Sequence, residues 1–151
     1  MRTARVVPGT VEHAKALAPF LRESDIKEAR AMGVEDPGAG LVKSVEVSEK
    51  CWAVLDGDTV VAMFGVDSLD AVWLLGSDRM REHGHFFYEA PKLYLAEMLW
   101  GRESLWNFVH AENFVSLRWL KTLGFSLLDP VAMGPLGEKF RPVILLNERT
   151  A

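Results

Sequence analysis

SLWNFVHAENFVSLRWLKTLGF, residues Ser104–Phe125, reads in succession as a buried strand, a short turn, an amphipathic helix and a glycine stop. Leu105, Trp106, Phe108 and Val109 make an apolar run of strand length, interrupted by Asn107. Asn113 suits the N-cap, because its side-chain oxygen can accept from a free N–H of the first helical turn. Ser116, Trp119, Leu120 and Leu123 recur at helical spacing on one stripe, and Arg118, Lys121 and Thr122 lie opposite. Gly124 falls where a helix ends in a left-handed residue, and Phe125 starts the next strand.

On the N-terminal side of this stretch, Phe86–Trp100 has helical spacing with Pro91 inside it. Pro91 either kinks the helix or lies in its first turn, and the first-turn reading starts the main helix at about Ala90, with Leu93, Glu97 and Trp100 in one register. Before it, Ala71–Leu75 is an unbroken apolar strand ended by Gly76, and such a strand is expected to be covered on both faces. Cys51–Leu55 and Thr59–Val66 flank Asp56-Gly57-Asp58, a hairpin turn signal. Earlier still, Thr3–Val7 reads as a strand. Val11–Arg22 reads as a helix capped by Thr10, and Asp25–Met32 as a second helix capped by Ser24. Asp36-Pro37-Gly38 is a break. Leu41–Lys50 is read as a helix, although Val45–Val47 would also suit a strand. On the C-terminal side, Phe125–Leu128 and Phe140–Leu146 are strands joined by the Gly/Pro-rich segment Asp129–Lys139. A central hairpin followed by crossing helices implies an α/β fold, a mixed, mostly antiparallel sheet with helices on both faces.

The 151 residues, 49% of them apolar, suit a single domain spanning 1–151 with its own core. A net charge of −4, with both signs mixed along the chain, argues against a basic nucleic-acid-binding face. It leaves room for an anionic cofactor, which needs only a local positive site. The single cysteine, Cys51, excludes an internal disulfide and reads as a small apolar residue beside Trp52. The four histidines have no zinc-site spacing, so no metal is expected. No long apolar run follows the N-terminus or reaches membrane-spanning length, which suggests a soluble protein of a reducing compartment.

The opening stretch also resembles the last conserved segment of the GNAT acyltransferase superfamily, a strand followed by N-x-x-[AS]-x-x-x-Y-x-x-x-G-F. Asn113, Ser116, Gly124 and Phe125 match, while Leu120 stands at the tyrosine. Within the superfamily, WLLG at Trp73–Gly76 and NFVSLRWLKTLGF at Asn113–Phe125 look most like the small GNAT-like internal-virion or assembly proteins of T7-type tailed phages. The resemblance implies a parallel strand pair, Ala71–Leu75 with Leu105–Val109, splayed around acetyl-CoA. It places the cofactor on the strand ending at Leu75 and on the loop Gly76–His85. The family loop [QR]-x-x-G-x-[GA] is matched by Arg81 and Gly84 and broken by Phe86. Asn113 and Ser116 complete the implied cofactor contacts. Asp25 and Glu28 lie where the family places its acceptor, and His110, or an acidic residue, is the candidate base. Trp73, Trp106 and Trp119 read as core.

Two functions follow. One is an N-acetyltransferase with weak acetyl-CoA binding and slow transfer, because Leu120 cannot protonate a leaving thiolate and Phe86 crowds the phosphates. The other is a non-catalytic phage protein that keeps the fold and contacts virion or assembly partners. Either would be made in the cytoplasm of a bacterial host, and the second could enter the virion.

Overall fold

A computed structural model describes residues 3–148. The chain runs β1 (Ala4–Pro8), α1 (Val11–Leu17), α2 (Glu23–Ala31), α3 (Pro37–Val47), β2 (Ser48–Asp56), β3 (Thr59–Asp67) and β4 (Val72–Gly76). It continues through α4 (Gly84–Glu89), α5 (Pro91–Leu99), β5 (Ser104–His110), α6 (Phe114–Thr122), β6 (Ser126–Leu127), β7 (Val131–Met133) and β8 (Glu138–Leu146). Antiparallel pairing orders one half of the sheet β1-β2-β3-β4 and the other β5-β8-β6, with β7 also on β8. The halves meet at one parallel bridge, Ala71 with Trp106, beyond which β4 and β5 form no further ladder. The mixed, mostly antiparallel sheet and its splayed parallel pair are as expected.

Local chemistry sets the helix limits. Thr10 caps α1 in a reciprocal box with His13, but α1 stops at Leu17 rather than Arg22. Pro19 has no N–H to continue the α-helical ladder, so Ala18–Phe20 tightens into a 3-10 turn. Arg22, not Ser24, precedes α2, and its extended backbone serves a strand-like contact described below. The expected break at Asp36-Pro37-Gly38 is instead a helix start. The Asp36 carboxylate accepts from Ala39 N–H at 3.1 Å, and Pro37 occupies the first turn, where a missing N–H costs nothing. The ambiguous Leu41–Lys50 divides accordingly, helix to Val47 and strand from Ser48. Pro91 opens α5, and Gly84–Glu89 forms a separate short helix before it. Leu93, Glu97 and Trp100 are the outward face of α5; Leu95 and Met98 are the buried one. The short strand β7 lies inside the segment read as a linker. Gly134 (φ +75°) turns the chain there where an added Cβ would sit 2.1 Å from the Ala31 carbonyl oxygen.

Two apolar clusters cover the two faces of the sheet. Ala14, Leu17, Leu41, Leu55 and Met63 join α1 and α3 to one face. Val61, Val66, Leu95, Met98, Leu105, Leu117, Phe125 and Val143 join α5 and α6 to the other. β3 lies between them, buried from Val60 to Val66. β4, expected to be covered on both faces, is half-buried from Val72 to Leu75, because its outer edge borders an opening. Leu105 sits at the root of β5 with no exposed surface. Leu105→Ala is expected to cost about 2–5 kcal/mol, the usual penalty for emptying a buried leucine site, measured by urea denaturation.

Candidate active site

The opening between β4 and β5 is held shut at one end and open at the other. At the closed end, Trp106 N–H donates to Asp70 O at 3.1 Å, and the Trp106 indole N–H to Leu69 O at 2.7 Å. Arg102, in the α5–β5 connection, ion-pairs with Glu49 and with Asp70 and donates to Asp67 O. One residue further along, Asn107 Nδ2–H donates to Val72 O, and Asn107 Oδ1 accepts from Phe108 N–H at 2.6 Å. Beyond that point the strands separate.

Backbone parity shows what β4 presents to the gap. Ser77 N–H donates to Val61 O, so odd-numbered residues from Ala71 to Ser77 turn their backbone groups toward β3. Even-numbered residues turn theirs outward. Val72 O is taken by Asn107. Gly76 N–H donates to Asp25 Oδ2 at 2.9 Å, and Gly76 O accepts from Arg22 N–H at 2.8 Å. Between them, the outward N–H and C=O of Leu74 meet no partner among the described residues. Leu75 itself lies opposite Met63 within the ladder.

The resulting cleft has a volume of about 500 Å³ and mostly apolar walls. Trp73, Leu74 and Leu75 line one side and Phe108 and Val109 the other. Phe86, Tyr94, Ser116, Trp119, Leu120 and Leu123 close it from the helices. The stripe expected on α6 therefore faces the cleft, while Leu117 is the side chain of α6 in the core. Trp119 is anchored by its indole N–H to Phe87 O at 2.9 Å. Tyr94, held edge-on to Trp52 and Phe64, is a cleft-lining phenol that spacing along α6 did not disclose.

At the open end stands Glu28. Its Oε1 accepts from His110 N–H at 2.9 Å and from Asn113 Nδ2–H at 3.0 Å. Burial raises its pKa above the usual 4.5, and the neighbouring Asp25 acts in the same direction; the two hydrogen bonds only moderate the rise. Asp25 is buried and fully engaged, clasped by the Arg22 guanidinium at 3.0 and 2.9 Å as well as by Gly76. It fastens the α1–α2 connection to β4. His110 ends β5, but its imidazole does not line the cleft. Glu112 N–H donates to Nδ1 at 3.2 Å, so Nδ1 is unprotonated and Nε2–H donates to Glu138 at 2.8 Å. With both ring nitrogens occupied, the imidazole is a brace, and the basic group at the cleft is Glu28. Asn113 caps α6 through Ser116 N–H at 3.3 Å while its amide N–H holds Glu28. Ser116 lies on the cleft wall.

The loop expected to hold phosphates is more structured than a glycine loop. Ser77 caps a 3-10 turn over Asp78–His83, and α4 follows at once. Met80 packs over Gly76, its Sδ 2.3 Å from where an added Cβ would lie, so a larger residue there would displace the Met80 side chain. Gly84 has φ −54° and open space around it, so its backbone is not what demands glycine. Arg81 is exposed at the mouth of the cleft and makes no ion pair among the described residues. Phe86 turns into the cleft, against Phe87. Burial pushes the Cys51 thiol up to about 11, which leaves it inert near neutrality. Among the described residues no acidic, histidine and cysteine cluster could hold a metal, and no helix is long and apolar enough to cross a membrane.

No family model and no curated protein sequence matches this chain. Its fold is nevertheless shared with GNAT acetyltransferases. Ard1 from Thermoplasma volcanium superposes with a TM-score of 0.70 at 11% identity, over 95% of this chain and 97% of that one. A GNAT-family acetyltransferase from Bacillus anthracis gives 0.65 at 13%, over 97% and 98%. The ribosomal-protein-S18-alanine N-acetyltransferase from Escherichia coli gives 0.62 at 14%, over 95% and 94%. The chain has the GNAT fold.

The raised pKa of Glu28 has a signature in stability. The folded protein holds the Glu28 proton more tightly than the unfolded chain, so the contribution of this group is complete below about 4.5 and is lost as pH rises through the folded value. Glu28→Gln keeps the acceptor oxygen and removes the titration. Thermal melts should show the variant more stable than the parent near neutrality, with the difference shrinking on acidification.

Proposed function

We propose that this protein is an N-acyltransferase that takes acetyl-CoA as donor and uses Glu28 as general base toward an amine. The observation that carries this reading is the open β4–β5 fork, with the free backbone of Leu74 on its wall and Glu28 at its open end. The residues fit the donor's arm well. An amide-bearing chain needs a backbone-like partner, and Leu74 offers one N–H and one C=O, flanked by apolar Phe108 and Leu120. At the phosphate end the support is the exposed Arg81 guanidinium, while Phe86 occupies the place of a small residue. Bound there, acetyl-CoA supplies an activated acetyl thioester.

The chain's own groups act on the acceptor. Glu28 is less acidic than a surface carboxylate, so it is better matched to taking a proton from an ammonium group near neutral pH. Both of its held contacts fall on Oε1, which leaves Oε2 for the proton. The Leu74 N–H is the cleft's backbone donor toward a carbonyl oxygen as charge develops there. Leu120 has no proton for a departing thiolate, so that proton comes from water and turnover is slow.

The second reading is a phage assembly or internal-virion protein that retains the fold without the chemistry. Leu120 and Phe86, both on the cleft wall, favour it, as does the wording of Trp73–Gly76 and Asn113–Phe125. Both readings put synthesis of the chain in the cytoplasm of a bacterial host. Calorimetric titration with acetyl-CoA, followed by an assay of CoA release against a panel of amines, separates them. The enzyme reading expects saturable binding and slow turnover that Glu28→Gln lowers about 10²–10⁴-fold with binding retained. Leu120→Tyr is expected to raise turnover. Absence of binding would leave the assembly reading.

A further inference from the structure

We propose that Asn107 is a positioning residue that keeps the fork open, its side-chain amide standing in for the next rung of the parallel ladder. Only the ligand consequence rests on the acyltransferase reading; the strand geometry does not.

From the bridge at Ala71 and Trp106, a regular parallel ladder would continue with Phe108 N–H donating to Val72 O, and then Leu74 N–H to Phe108 O. Neither rung forms. The Asn107 amide lies between the first two groups, giving Val72 O its donor and Phe108 N–H its acceptor. Both groups are satisfied, yet the strands stay a side chain's width apart. Separation of these strands would otherwise leave two half-buried backbone groups unpaired, a cost that would draw them together. A primary amide is the group that can donate and accept on so short a stem. Valine or alanine can do neither, and aspartate can only accept. Asparagine is disfavoured inside strands, so its presence in the apolar run Leu105–Val109 points to a task other than strand formation. On one side of Asn107 the strands are locked by Trp106 and Arg102. On the other, Gly76 is held off by Arg22 and Asp25. Leu74 is what remains.

The test is backbone amide hydrogen exchange on the whole chain without ligand, together with acetyl-CoA titration. In the parent, the Leu74 amide should exchange much faster than those of β3. In Asn107→Val and Asn107→Ala the fork should zip, and Leu74 exchange should slow about tenfold, the factor of one net backbone hydrogen bond. The melting temperature should hold or rise, and acetyl-CoA affinity should fall at least tenfold, since the zipped pair consumes Leu74. Asn107→Asp keeps the acceptor and sets a carboxylate against Val72 O, so Leu74 should remain fast. A slow Leu74 amide in the parent, unchanged exchange in both apolar variants, or unfolding of both would overturn the proposal. Failure of the parent to bind acetyl-CoA would remove the acyltransferase reading, and the exchange data would still decide the role of Asn107.

Discussion

The fold hinges on one parallel bridge. Ala71 and Trp106 join two otherwise antiparallel half-sheets, and almost everything around that point serves to keep it closed. Arg102 is the most heavily used side chain there. It reaches Glu49 before β2's apolar stretch, the Asp67 carbonyl at the end of β3, Asp70 in the turn and the Met98 carbonyl of α5. A planar guanidinium with several donors can hold such divergent partners at once, where a lysine ammonium could not. Asp70 adopts φ +69°, which a short polar residue tolerates, and its carbonyl is thereby aimed at Trp106 N–H. A joint that is tight at one end and wedged one residue later holds the two strands apart beyond it.

That divergence would be costly in a sheet with solvent on one face. Here β3 supplies rigidity, because both of its faces are covered by separate apolar clusters. β4 can then give up its outer neighbour while its inner ladder to β3 stays complete from Val72 to Gly76. The connection between α1 and α2 limits the gap from the far side. Leu21 bridges Ser77, Arg22 and Asp25 take the backbone of Gly76, and Arg22 pairs with Asp25 in the same stroke. Asp25 is thus a fastener at the rim, and Glu28, one helical turn further, is the carboxylate that tethers β5 and α6.

Signals carried by adjacent residues were legible in the sequence. The strand, Asn113 cap, helix and Gly124 stop all appear as read, and Gly124 has φ +101°. The mixed sheet with helices on both faces was legible from element order, and the splayed parallel pair only through the resemblance carried by Asn113, Ser116, Gly124 and Phe125. What long-range packing decides was not. Asn107 could be seen as an interruption of an apolar run, but its meaning depends on Val72, 35 positions away. His110 reached the expected strand end, yet Glu138 on β8 and the Glu112 amide claimed its ring. Glu28 acquires its basicity from burial against elements far along the chain. β7 escaped notice because three residues carry too little pattern to read.

Glu28 ties three elements together, and its protonation chemistry is compatible with that duty. The residue belongs to α2, the His110 N–H closes β5, and the Asn113 amide begins α6. If each donor had taken a different carboxylate oxygen, adding a proton would have forced one hydrogen bond to break, and α6 would loosen. Both donors converge on Oε1. A proton on Oε2 therefore leaves the tether whole, and only the charge changes. The two hydrogen bonds do not hold the pKa down against burial. They oppose the rise, but the cost of taking the half-buried carboxylate out of water, with Asp25 close by, outweighs them. A carboxylate held by one oxygen can carry a proton on the other without moving the helix it anchors.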